Sequence, residues 1–150
     1  MTIVQRFGRR QSGRSYEQRS AAYAVIFDAS HRVACVVDKK LGLFLPGGGL
    51  EPGEDPLGTV HREVVEECAR SLEMILPLGS AIQFFHGSDD KLFELHASFF
   101  LGRFGHSLDG PAQHELSWLQ AVPQLPVFFH ECHRWAVQQG LVRCAAVCWT

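Results

Sequence analysis

A chain of 150 residues, 46% hydrophobic and 20% charged, has the size and composition of one folded domain and excludes a disordered or fibrous polymer. Fourteen Lys and Arg against sixteen Asp and Glu leave a net charge of -2, which removes any whole-surface attraction to nucleic acid or to a membrane. No stretch approaches the roughly 18 apolar residues of a membrane span, and no apolar h-region marks a secretory signal, so a cytoplasmic protein is expected.

Residues 1 to 19 read as a flexible basic lead-in, with residues 20 to 150 forming the domain. Arg6, Arg9, Arg10, Arg14 and Arg19 fall here, with Glu17 the only acid among them. A mobile arm, an organelle transit peptide and a flap over an anionic substrate all fit that composition. Ala21 to Asp28 and Val33 to Val37 are short apolar runs joined by a polar turn, and are expected to pair as buried strands. Leu41 to Leu45 follows, and Pro46 with Gly47, Gly48 and Gly49 is expected to end regular structure.

Beyond a second loop the pattern turns helical. Asp55 suits an N-cap, Pro56 the first helical position, and Leu57, Val60, Val64 and Cys68 make a buried stripe. Strand-like runs follow at Ala81 to Phe85 and Leu92 to Leu101. Gly102 to Gln113 reads as a loop, Leu116 to Leu119 as a short strand, and Phe128 to Gln139 as a helix that Gly140 ends. The fold class is therefore α/β, a mixed sheet covered by helices. The five cysteines are scattered and odd in number, as expected of reduced thiols; Cys144 and Cys148 could share a helix face.

The chemistry concentrates between Gly47 and Glu67. Glu63, Glu66 and Glu67 lie on one helix face, where three like charges repel unless a hard divalent cation binds them. The glycines just upstream let backbone approach a ligand closely. Gly48, five residues, Glu54, seven residues, then Arg62, Glu63, Val64, Glu66 and Glu67 form a long gapped pattern. This segment resembles the Nudix box, G-x5-E-x7-R-E-U-x-E-E-x-G-U, where U is a bulky aliphatic residue. Ala69 stands where that box has glycine, and Arg70 where it has the aliphatic. A lengthened or re-registered helix end is expected from Ala69, with Leu72, Met74 and Leu76 supplying the apolar strand contacts that Arg70 cannot.

The resemblance runs from about Ala21 to Val137 and implies a Nudix fold, a mixed β-sheet sandwiched between α-helices. It implies a hydrolase that cleaves a nucleotide-linked pyrophosphate bond with Mg2+, for which Mn2+ can substitute. By position, Glu66 and Glu67 would be the principal metal ligands, and Glu63 a further ligand or the base that activates water. The carbonyl of Gly47 would complete the coordination. Glu54 and Arg62 would form an ion pair bracing the loop on the helix. Glu115, before Trp118, is chosen as an additional catalytic carboxylate, with Glu94 as the alternative. Gly48, Gly49 and His114 are candidates for substrate contact, and Phe84, Phe85, Phe93, Phe99 and Phe100 for base stacking.

The substrate is approached by elimination. Phe84, Phe85 and His86 occupy the neighbourhood where ADP-ribose hydrolases carry a proline, and no tyrosine stands there as in diadenosine polyphosphate hydrolases. A MutT-like nucleoside triphosphate pyrophosphohydrolase is the reading left. Alternatives are an ADP-sugar hydrolase, an RNA 5'-end pyrophosphohydrolase gripping phosphates with its arginines, and a non-catalytic nucleotide-sensing domain. Family members are frequently homodimers, which is the only guide to assembly.

Overall fold

The computed structural model describes residues 4–146. In chain order the elements are β1 (Gln5–Phe7), β2 (Glu17–Ile26), β3 (Arg32–Asp38), β4 (Gly42–Phe44), β5 (Gly47–Gly49), α1 (Pro56–Cys68), β6 (Arg70–His86), β7 (Leu92–Ser107), β8 (Leu116–Gln120) and α2 (Glu131–Ala146). One sheet has the order β1-β6-β7-β2-β5 and the other β4-β3-β8. The larger sheet is mixed: β1 runs parallel to β6 and β2 parallel to β7, while β6/β7 and β2/β5 are antiparallel.

Ala21 to Ile26 are buried on both faces of β2, which is why the run reads as continuously apolar. Ala22, Ala24 and Ile26 face α1 through Val60 and Val64. Tyr23, Val25 and Phe27 face the opposite way, toward Cys132, Ala136 and Val137 of α2. The sheet is thus held between the two helices, an α/β sandwich as expected.

Several sequence expectations are corrected. The β2 and β3 runs do not pair. They touch through one bridge, Phe27 to Val33, because the edges of β2 are taken by β7 and β5. Asp28 turns the chain away, its Oδ1 accepting the Ser30 and Arg32 N–H groups at 2.9 Å each. The three glycines form strand β5 and do not end regular structure; at Gly47 (φ 150°) a Cβ would overlap the Ala22 carbonyl oxygen and Tyr23. Strand β7 continues through the segment read as a loop, reaching Ser107. Register shifts in β6 absorb Pro77 and Gly79, and Gly102 and Gly105 leave room for Leu72 and Glu73.

Helix α2 starts at Glu131, later than expected, and passes through Gly140. That glycine is a close-approach residue, since a Cβ there would stand 2.8 Å from Val25 Cγ1. The end of α1 is neither lengthened nor re-registered. Ala69 itself adopts the left-handed conformation (φ 52°, ψ 39°), its N–H bonding the Val65 carbonyl. Leu108 donates to the Ala69 carbonyl at 2.9 Å, and pairing of Arg70 with Ser107 starts the next strand. Arg70 lays its guanidinium 4.8 Å over the Phe104 ring, while Leu72 is buried in the α1-side core.

Where a flexible lead-in was expected, residues 4–19 carry β1 and the start of β2. Arg10 stacks 4.9 Å over Tyr16 and Arg19 lies 4.5 Å over Phe93, so part of the basic charge is held against aromatic faces. Cys35, Cys68 and Cys132 are free and buried, and burial pushes each thiol up to about 12. Cys148 lies outside the described residues. No helix among the described residues is long and apolar enough to cross a membrane.

Candidate active site

Helix α1 begins as its sequence dictates. Asp55 Oδ1 accepts the Gly58 N–H at 2.7 Å, and Pro56 opens the first turn, where its missing donor costs nothing. One turn before the acidic face stands Arg62, whose fork binds Glu54 bidentately, Nε to Oε2 at 2.7 Å and Nη2 to Oε1 at 2.9 Å. Its other contacts are the Gly49 carbonyl at 3.2 Å, Glu63 Oε1 at 3.0 Å, Glu66 Oε2 at 3.1 Å and Glu51 Oε1 at 3.6 Å. The Arg62 hydrogen bonds hold the Glu54 carboxyl down to about 2, and the Glu54 bond in turn raises the guanidinium above its ordinary value. Loop and helix are therefore clamped through one cation.

Glu67 is only 6% exposed, and its Oε1 accepts the Gly47 N–H at 2.7 Å. Burial pushes its carboxyl up to about 8, with Glu63 and Glu66 adding like-charge repulsion against that single hydrogen bond. Burial also raises Glu63, which lies against the glycine loop: a Cβ on Gly48 would stand 2.7 Å from the Glu63 carboxyl carbon. Among the described residues no three ligating side chains converge on one point. Arg62 stands between Glu63 and Glu66 as their cation. The donor set nonetheless fits a hard divalent ion. It is all carboxylate oxygen, and burial disfavours the charged form of Glu63 and Glu67 until a cation offsets it.

Two cavities share Tyr23 and Phe44, and the smaller reaches α1 at Glu67. The smaller, of about 200 Å³, is lined by Asp38, Gly47, Glu67 and His114. His114 Nε2 is 3.6 Å from Glu67 Oε2, and the backbone N–H groups of Gln113 and His114 bond the Glu66 and Glu67 carbonyls at 3.1 and 3.3 Å. The larger, of about 420 Å³, has an aromatic wall of Phe44, Phe85, Phe93 and Phe129, with Arg19, Gly49, Lys91 and His130 completing it.

A family model described as NUDIX domain matches residues 17–134. The chain belongs to the Nudix family. Among solved structures it is similar to a MutT NUDIX hydrolase from Burkholderia pseudomallei, at 24% identity and TM-score 0.66, over 82% of this chain and 98% of that one. It is also similar to an ADP-ribose pyrophosphatase from Streptococcus suis 89-1591, at 19% identity and TM-score 0.62, covering 83% and 90% of the two chains. A MutT protein from Methanosarcina mazei Go1 aligns at 20% identity and TM-score 0.58, over 87% and 98%. At these identities the structural likeness is one of fold. No curated protein matches. By family the chain is a Nudix pyrophosphohydrolase, and the family generally works with a divalent metal.

Within this Nudix domain the box residues lie together: Glu54, Arg62, Glu63, Glu66 and Gly49 meet at the guanidinium, and Glu67 meets Gly47. His114 reaches the same pocket. Glu115 is exposed, one residue beyond His114, and lines neither cavity. Glu94 bonds His96 at 2.6 Å and Gln18 at 2.9 Å, and also lines neither. Of the aromatics proposed for stacking, Phe85 and Phe93 line the larger cavity, whereas Phe99 is core and Phe84 and Phe100 lie elsewhere. Sequence reasoning missed Tyr23, Asp38, Phe44, Phe129 and His130. Tyr23 sits inside an apolar run and reads as core, which it also is; no spacing signal marks the others.

Proposed function

We propose that this Nudix hydrolase cleaves nucleoside triphosphates to a nucleoside monophosphate and pyrophosphate, using Mg2+ with Mn2+ as a substitute. The observation that carries this reading is the junction of two cavities at Tyr23 and Phe44, one reaching Glu67 of the box helix together with Asp38 and the other walled by aromatic rings. A planar base suits the second and charged phosphates the first. Glu66, Glu67 and the Gly47 carbonyl would hold the metal. Bound there, the ion neutralises phosphate charge and lowers the pKa of water.

The chain's own groups supply the rest. Arg62 fixes the helix against the glycine loop, so that Gly48 and Gly49 present backbone to the phosphates. Burial raises Glu63, which suits a base that takes the proton of the attacking water as its oxygen adds to phosphorus and the bridging P–O bond breaks. His114 lines the same cavity as Glu67 and would contact the substrate there.

The test is a release assay over canonical and oxidised triphosphates, ADP-ribose, nucleotide sugars and 5'-triphosphorylated RNA, with either metal. Triphosphates should be turned over best, and Glu66→Gln/Glu67→Gln should abolish it. Preferred turnover of ADP-ribose or RNA would replace the substrate assignment. Folded protein that binds a nucleotide and turns over none would move the reading to a sensor.

A further inference from the structure

His130 is a buried polar group that nothing in the fold employs. Its residue is 4% exposed and lines the larger cavity; its Nδ1 is sealed from solvent with no hydrogen-bond partner among the described residues, whereas its Nε2 is not among the sealed atoms. The ring is caged by Phe85, Phe129 and Phe44, at centroid distances of 4.6, 4.7 and 5.6 Å. His133, one helical turn on, also has an unpartnered nitrogen, Nε2, but it lines neither cavity and its Nδ1 accepts the Leu45 N–H at 3.1 Å, which ties α2 to the segment before the glycine strand. A well-packed core would fill the His130 position with another phenylalanine. An imidazole there keeps a polar ring edge that phenylalanine lacks, and its Nε2 is the nitrogen that a partner bound in the cavity can pair with.

We infer that His130 is the specificity-determining residue of this cavity, pairing its ring nitrogen with a polar atom on the edge of the substrate base while the phenylalanines hold the base by its faces. This rests on the nucleotide hydrolase reading above and adds the group that discriminates among bases. The ring is neutral at physiological pH, because burial lowers its titration to about 4, so it offers one donor and one acceptor. Its tautomer fixes whether the nitrogen at the cavity donates or accepts, and so which polar atom on a base it can pair with. A site that hydrogen-bonds a group on its ligand rejects ligands lacking it, because its own buried polar atom is then left unpaired.

The deciding measurement is metal-free calorimetric binding of AMP, GMP, CMP, UMP and purine riboside monophosphate. Wild-type protein should separate the tightest from the weakest by on the order of tenfold. His130→Phe should still bind, with that spread compressed to about twofold, and His130→Asn should reorder the ranking. In wild-type protein, the His130 imidazole nitrogen resonances should shift with the tightest ligand, a readout that survives a misfolded variant. An unchanged ranking in His130→Phe, no base preference in wild type, or unmoved imidazole resonances would each overturn the inference. Triphosphate hydrolysis without base preference breaks this inference and leaves the proposed function standing; base-selective binding without hydrolysis does the reverse.

Discussion

At Glu67 a carboxylate that is 6% exposed accepts one backbone N–H, and burial carries its titration from 4.5 to about 8. A group with a raised folded-state pKa binds its proton more tightly when folded. Its stabilising contribution is therefore full below 4.5 and is lost as pH rises through about 8. Metal-free protein should show a falling Tm across that window in calorimetry with a chelator present. Glu67→Gln should flatten the slope and melt higher than wild type at the alkaline end, while losing hydrolysis. A divalent cation should restore wild-type Tm most at high pH, since it binds the unprotonated form. A wild-type profile as flat as the variant's would contradict this reading of Glu67.

Ala69 makes a second prediction at this scale. Its φ of 52° is the left-handed cap where glycine is favoured. Ala69→Gly should stabilise the protein by about 1 kcal/mol in urea unfolding. Box side chains and the Asp55 cap were legible in the sequence because their spacing and residue types are themselves the signal. Tyr23, Phe44 and His130 were not. Each sits among apolar neighbours, and only the folded chain shows which core residue also borders a cavity.

Among elements, α1 was readable because its stripe, its cap and its proline agree. Pairing was not. Adjacent runs at β2 and β3 look like a hairpin, yet the side-chain-free β5 and the distant β7 occupy the edges of β2. Glycine misled twice for the same reason, since close approach and chain termination call for the same residue. Gly140 illustrates the difference. Gly140→Ala has the better helix former, but its Cβ would press on Val25 and Phe27, at 2.8 and 3.1 Å. A loss of roughly 1–3 kcal/mol is expected in denaturant unfolding, where a helix terminator would have tolerated the change. The Arg62 clamp also joins elements, tying the loop around Glu54 to α1. Arg62→Lys cannot fork. It should cost about 1–2 kcal/mol of stability by the same unfolding measurement, and lower kcat/KM by releasing the glycine loop.

For the whole molecule, the fold sets Tyr23 and Phe44 between a cavity that reaches Glu67 of α1 and an aromatic wall that β4, β6, β7 and the segment leading into α2 contribute. Apart from the consecutive strands β6 and β7, those pieces are far apart in sequence, so a domain of this kind was legible and its pocket was not. The division of labour across that junction is the central claim. Its most direct test is turnover of triphosphates with Mg2+ by wild-type protein and by Glu66→Gln/Glu67→Gln, with nucleoside monophosphate and pyrophosphate as the quantified products. The account predicts equal amounts of the two products, dependence on the metal, and no turnover in the variant. Turnover that persists in the folded variant would contradict it.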